Sequence, residues 1–266
     1  YRFTEGSLSG QSFGNLFLAA LCRICGTFDE AVKRMCDVLA ITGRVLPVTT
    51  ADVNIEAEFE NGVRVVGESK IFNEKKKQNS RIRQVRLIPG LPPPIPEVIQ
   101  AIEEADMIVL GPGSLYTSII PNLLVEDVGE AIARSEAVKV YVCNLMTQDG
   151  ETEGYTAFDH VKSIFQHSND KLFDICLVNI GEVSEPLVTN YDKEGAGPTY
   201  IDREKFYQAG IELVERHLID EEGPLARHNP RLLAGELMAI HARKRPRPGL
   251  YGRYDRLILD ELLGRM

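Results

Sequence analysis

Ala105-Asp106-Met107-Ile108-Val109-Leu110-Gly111-Pro112-Gly113-Ser114-Leu115-Tyr116-Thr117-Ser118 is the stretch whose reading decides the fold. The apolar run Met107–Leu110, bounded by Asp106 and Gly111, has the length and composition of a buried strand. It passes directly into a Gly-Pro-Gly-Ser turn, with Ser114, Thr117 and Ser118 placed where a helix or tight turn begins. In open α/β sheets, a strand ending in a glycine-rich loop offers backbone N–H groups to an anion, and glycine lets the ligand come close. The stretch therefore reads as a place for a phosphorylated small molecule. It is neither G-x-G-x-x-G nor a Walker loop, because no lysine follows the glycines.

On the C-terminal side the pattern alternates. A helix is predicted over 123–135, a strand over 139–143, a helix over 156–166 and a strand over 175–179, with further helices near 204–208 and 230–242. Such alternation implies a mainly parallel sheet covered on both faces, a three-layer α/β/α arrangement. Upstream, helices are predicted over 15–25 and 27–40, the first as an apolar, buried one, followed by a short strand over 43–47. Asn54–Phe59 alternates apolar and polar residues, and Glu60-Asn61-Gly62 turns it into Val63–Gly67, a hairpin signal. The basic run 70–86, with a strand at 82–88, reads as a solvated hairpin edge. A proline-rich connector follows, then a helix opened by Pro96.

The chain has 266 residues, 44% hydrophobic and 26% charged, enough to bury a full core. Its net charge of −9 argues against a nucleic-acid-binding body, though a pocket's local field can still favour a phosphate. No apolar run has the length of a membrane-spanning helix. The cysteines are 22, 25, 36, 143 and 176, an odd count in apolar surroundings that fits reduced thiols. Cys22-x-x-Cys25 has no second pair and reads as two small core residues. The five histidines are scattered, with no zinc spacing, no nucleophile elbow and no kinase signature set, so neither a metal site nor a catalytic acid–base pair is assigned.

Four loops carry candidate binding residues. The first gives Gly111, Pro112, Gly113, Ser114, Thr117 and Ser118; the second, after the 139–143 strand, gives Asn144, Thr147 and Gln148. The third, Ser9–Asn15 ahead of an apolar helix, gives Ser12 and Asn15, which equally suit a helix cap. The fourth is Arg227-His228-Asn229, where arginine suits bidentate phosphate contact.

Together these segments resemble a known family. Leu8-Ser9-Gly10-Gln11-Ser12-Phe13-Gly14-Asn15-Leu16, Gly43-Arg44-Val45-Leu46-Pro47 with Gly67-Glu68-Ser69, and Gly111 through Val125 are similar to its signatures. So are Val142-Cys143-Asn144-Leu145-Met146-Thr147-Gln148 with Gly150-Glu151-Thr152, then Asp159-His160 and Arg227-His228-Asn229. The chain resembles the gluconeogenesis factor (YvcK-like) family, in the same superfamily as 2-phospho-L-lactate transferase (CofD-like), over about residues 1–240.

The resemblance implies a cytoplasmic bacterial protein with a Rossmann-like α/β fold and a β-hairpin insertion. It implies a regulatory protein that binds UDP-N-acetylglucosamine or a related nucleotide, linking gluconeogenic growth, cell-wall precursor supply and cell shape. Tyr191 and Arg227 match the family's nucleotide-sugar contacts. No cofactor is required on this reading, Mg²⁺ could accompany the phosphates, and the protein is expected to be a homo-oligomer with no nucleic-acid or membrane partner. The alternative the resemblance leaves open is an Mg²⁺-dependent transferase moving a phosphorylated group from a nucleotide donor. Family members open with a strand and a glycine-rich loop ahead of the point where this sequence starts, so the first strands of the sheet are expected to be missing here. One α/β domain over 1–242 and a basic tail over 243–266 are expected.

Overall fold

The computed structural model describes residues 1–245 apart from Asn79, Asp170, Lys171, Glu221, Glu222 and Pro224. At its centre, β4 (Met107–Leu110), β5 (Val138–Val142), β6 (Ile175–Asn179) and β7 (Glu212–Arg216) form one sheet in the order β4-β5-β6-β7, every neighbouring pair parallel. The sheet is mainly apolar because it is covered on both faces. Val138, Val140 and Val142 point to one side, where they pack with Ile175, Leu177, Val214 and Ile240 of α10 (Pro230–Lys244). Tyr141 and Cys143 point to the other, against Val161, Ile164 and Phe173 around α7 (Ala157–His167). The period-2 alternation of one strand thus feeds two cores, which is the three-layer arrangement anticipated.

The hairpin also forms as expected. β1 (Asn54–Phe59) pairs antiparallel with β2 (Arg64–Val66) and with β3 (Ile82–Ile88), giving a separate sheet in the order β2-β1-β3. Its buried face, Ala57, Phe59, Ile82 and Val85, joins the α7-side core. A histidine fastens the two together. Val85 N–H donates to His167 Nε2 at 2.9 Å, which leaves Nδ1 protonated to donate to Ser163 O at 2.7 Å. Burial holds the His167 pKa below its ordinary value, so the ring keeps the neutral form this arrangement needs.

Several expectations are corrected. Residues 43–47 form no strand; Leu46 and Val48 pack individually on the core instead. The basic run is no hairpin edge before β3. It is α3 (Glu68–Gln78), whose buried face presents Ile71 and Lys75 one turn apart, with Lys75 Nζ on Glu153 Oε2 at 2.7 Å. Arginines on either side of it are neutralised across strands: Glu58 accepts from Arg64, Arg83 and Arg86 at 2.8, 3.2 and 3.0 Å.

The single helix predicted over 123–135 is instead α5 (Ile120–Leu123) and α6 (Val128–Arg134), broken where Asp127 takes φ +61°. Nor is the first helix buried: α1 (Phe13–Cys25) has no fully buried residue, Cys22 and Cys25 are partly exposed, and its packing is chiefly against α2 (Phe28–Val38).

The other elements are α4 (Pro96–Glu103), α8 (Glu185–Asp192), α9 (Arg203–Ala209), and a two-residue ladder of β8 (Ile219–Asp220) with β9 (Arg227–His228). α10 runs two residues past 242, where Arg243 and Lys244 both reach Glu212 of β7. The expected basic tail from 246 onward lies outside the described residues. Among the described residues no helix is long and apolar enough to cross a membrane.

Candidate functional site

The carboxyl ends of β4 and β5 place two loops side by side. Leaving β4, the chain turns at Gly111, whose φ of +80° is costly for any residue with a Cβ. A Cβ there would lie 2.9 Å from Val142 O at the end of β5, so the two strand ends can approach only over a bare backbone. The next residues are clasped reciprocally: Gly113 N–H donates to Asn144 Oδ1 at 3.3 Å, and Asn144 Nδ2 donates to Gly113 O at 2.9 Å. Ser114 Oγ adds a bond to Gln148 Oε1 at 2.8 Å. Further along the second loop, Thr147 Oγ1 donates to Gly197 O at 3.2 Å and accepts from Gly197 N–H at 2.9 Å, tying in the segment after α8. Asn144, Thr147, Ser114 and Gln148 therefore use much of their hydrogen-bonding capacity to hold the walls together.

Those walls enclose a cavity of about 690 Å³. Of the residues predicted from sequence, Pro112, Gly113, Asn144, Thr147, Gln148, Tyr191 and Arg227 all line it. Arg227 arrives on β9, held by pairing with Asp220, and forms no ion pair with a described residue. Tyr191 comes from the last turn of α8. The triplet's other members divide their work. Asn229 caps α10, its Oδ1 accepting from the N–H groups of Arg231 and Leu232 at 3.0 and 3.1 Å. His228 lines the cavity with a buried Nε2 that has no partner, and burial lowers its pKa. Its companions in sequence, not its own spacing, were the available signal for His228. The cavity wall also carries two carboxylates, Asp149 and Glu194.

Six predicted residues do not line it: Ser114 reaches it only through Gln148, Thr117 faces another cavity, and four lie further off. Gly111 and Ser118 flank a largely apolar groove of about 560 Å³ beside the β4 edge, which Pro112 and Gly113 also touch. Ser12 and Asn15 act locally at the start of α1, where Asn15 N–H donates to Ser12 Oγ at 3.4 Å. Asp159 and His160 are structural too: Asp159 closes a capping box with Thr156, and His160 Nδ1 bonds Thr156 O at 2.8 Å.

Thr117 faces a second cavity, and with it comes a residue that the reading of the loop did not foresee. After Ser114 the chain makes a single π-helical turn, Leu115–Ile119. Its N–H groups do not stand open to an external anion. The Tyr116 N–H donates to Glu151 Oε1 at 3.2 Å, and the N–H groups of Leu115 and Thr117 face the same carboxyl. Glu151 is only 3% exposed, and Oε2 completes no hydrogen bond. Burial outweighs the Thr117 hydroxyl and these N–H groups, raising the Glu151 pKa to about 7. Nothing in the spacing of 116 and 151 signals the contact. Among the described residues, no three His, Cys, Asp or Glu side chains come together to hold a metal ion.

Comparison with known proteins agrees with the fold. Residues 1–219 match the family described as 2-phospho-L-lactate transferase CofD. The gluconeogenesis factor of Bacillus subtilis is 43% identical over 241 residues, 90% of this chain and 75% of that one. Relatives in Clostridium acetobutylicum and Nostoc are both 45% identical, but the chain spans only 51% and 52% of their length. The crystal structure of protein BH3568 from Bacillus halodurans superposes with a TM-score of 0.83 at 40% identity, over 90% of this chain and 75% of that one. The chain thus belongs to the gluconeogenesis factor family, within the wider CofD family.

Proposed function

We propose that the cavity beyond β4 and β5 binds a nucleoside diphosphate sugar, with UDP-N-acetylglucosamine as the ligand of first choice, and that the protein acts as a regulator. The observation that carries this reading is the convergence of Arg227, Tyr191 and His228 on one cavity at the carboxyl ends of a parallel sheet. A guanidinium with no ion pair to a described residue suits a diphosphate, an aromatic face suits a base or sugar ring, and a neutral imidazole suits a polar ligand atom. The regulatory role, coupling gluconeogenic growth to cell-wall precursor supply and cell shape, is taken from the resemblance; relatives named gluconeogenesis factor support its gluconeogenic part alone.

Asp149 and Glu194 favour a second reading. Two carboxylates on the same wall would repel a bare diphosphate and suit one that arrives with Mg²⁺, as a transferase of the CofD kind would use. Calorimetric titration of UDP-N-acetylglucosamine against the parent and Arg227→Ala tests the site. Saturating heat in the parent, lost in the variant, is expected; equal binding by both refutes the placement. Release of a split nucleotide on incubation with Mg²⁺ would instead favour the transferase.

A further inference from the structure

Beside the Arg227 cavity lies another of about 610 Å³, walled by α3, the π-helical turn and the 148–151 loop. Gln148 and Phe72 line both, so the two are neighbours across a shared wall. Their chemistry differs. The second cavity is lined by Ser69, Asn73 and Glu68 of α3, by Thr117, and by Gln148 and Glu151, with no lysine or arginine among its described lining residues. An anion would meet two carboxyl groups and no cation there. A metal ion would find no third carboxylate, thiol or imidazole among the described residues. Hydroxyls, amides and carboxyls together offer both donors and acceptors, which is what a neutral polyol needs.

Glu151 supplies the second, independent sign of a ligand. Its side chain is almost fully buried, and Oε2 has no partner, an expensive state unless something else completes the bond. The wall is also shaped for a ring. Gly150 has φ +74°, and a Cβ on it would lie 2.5 Å from Phe72 Cδ2, so the phenyl ring rests directly on bare backbone. That fixes the Phe72 ring at the boundary between the two cavities.

We infer that this cavity is the sugar subsite: it takes the hexose of a nucleoside diphosphate sugar whose nucleotide lies in the Arg227 cavity. The inference rests on the nucleotide-sugar reading above. Near neutral pH the raised pKa of Glu151 leaves part of the population protonated, able both to donate to and accept from a sugar hydroxyl.

The test titrates UDP and UDP-N-acetylglucosamine separately into the parent, Asn73→Ala and Ser69→Leu. Both residues are exposed on α3, so the variants are expected to fold, and a circular dichroism melt checks this. The first change removes an amide from the wall and the second fills the space. UDP affinity should stay within about twofold, while UDP-N-acetylglucosamine weakens by about five- to tenfold, the worth of one or two hydrogen bonds. Variants that bind UDP-N-acetylglucosamine as the parent does would overturn the subsite, as would equal losses for both ligands. If the parent binds neither, the nucleotide-sugar reading itself fails, and the subsite with it.

Discussion

Replacing Glu151 by glutamine should make the protein more stable, by an amount that grows with pH. The native pKa of about 7 lies above the ordinary 4.5 because burial disfavours the charged form. Between those values the native state holds a proton that the unfolded chain has released, so stability falls as pH rises through this window. The gap of roughly 2.5 pH units, at about 1.4 kcal/mol each, amounts to about 3 kcal/mol once the pH is above 7. Glutamine keeps an oxygen for the Tyr116 N–H and carries no charge, so it escapes this cost.

His160, His167 and His228 act in the opposite sense. Their pKa values are lowered by burial, so their contribution grows as pH rises toward 6.5. Subtracting parent from variant cancels them. Urea unfolding followed by circular dichroism, at several pH values from about 5 to 8, gives that difference directly. It should be under about 1 kcal/mol at the acid end and rise by about 2.5 kcal/mol. A difference that stays flat with pH would show that Glu151 is not held in the buried, proton-retaining setting described, and would refute the reasoning.

Other substitutions test the remaining supports. Gly111→Ala meets both a left-handed backbone and the Val142 carbonyl, and should cost roughly 1–3 kcal/mol in thermal unfolding. Asn144→Ala removes both bonds of the Gly113 clasp and should lower stability by about 1–3 kcal/mol while weakening UDP-N-acetylglucosamine binding; unchanged affinity would separate the clasp from the ligand. His167→Phe keeps the ring but strands the Val85 N–H. Hydrogen exchange at Val85 should accelerate in this variant well before exchange in β5 does.

The parallel sheet was legible because β4, β5 and β6 are short apolar runs bounded by turn residues, and the hairpin because Asn61-Gly62 sits between alternating strands. β7 escaped notice because Glu-Leu-Val-Glu-Arg offers only two apolar residues; its place is secured by pairing with β6 and by contacts of Leu213 and Val214 on opposite faces. α3 was hidden by its lysines, since the charge that makes Lys75 buriable comes from Glu153, 78 residues away. The cavity's loops were visible as loops. What they do with their polar groups was not, because the Gly113–Asn144 and Tyr116–Glu151 contacts span 31 and 35 residues. A turn rich in N–H groups looks alike in sequence whether it waits for a ligand or already holds a side chain of its own.

The Gly113–Asn144 clasp works like a base pair: one donor and one acceptor on each side, matched in order. Aspartate at 144 would accept but could not donate, and glutamine would overshoot by a methylene. Position 144 therefore tolerates one side chain for reasons of complementarity, not bulk. With the Ser114–Gln148 bond beside it, the clasp also ties the two mouth loops to one another, so a displacement of the turn after β4 would have to carry the loop after β5 with it or break these bonds.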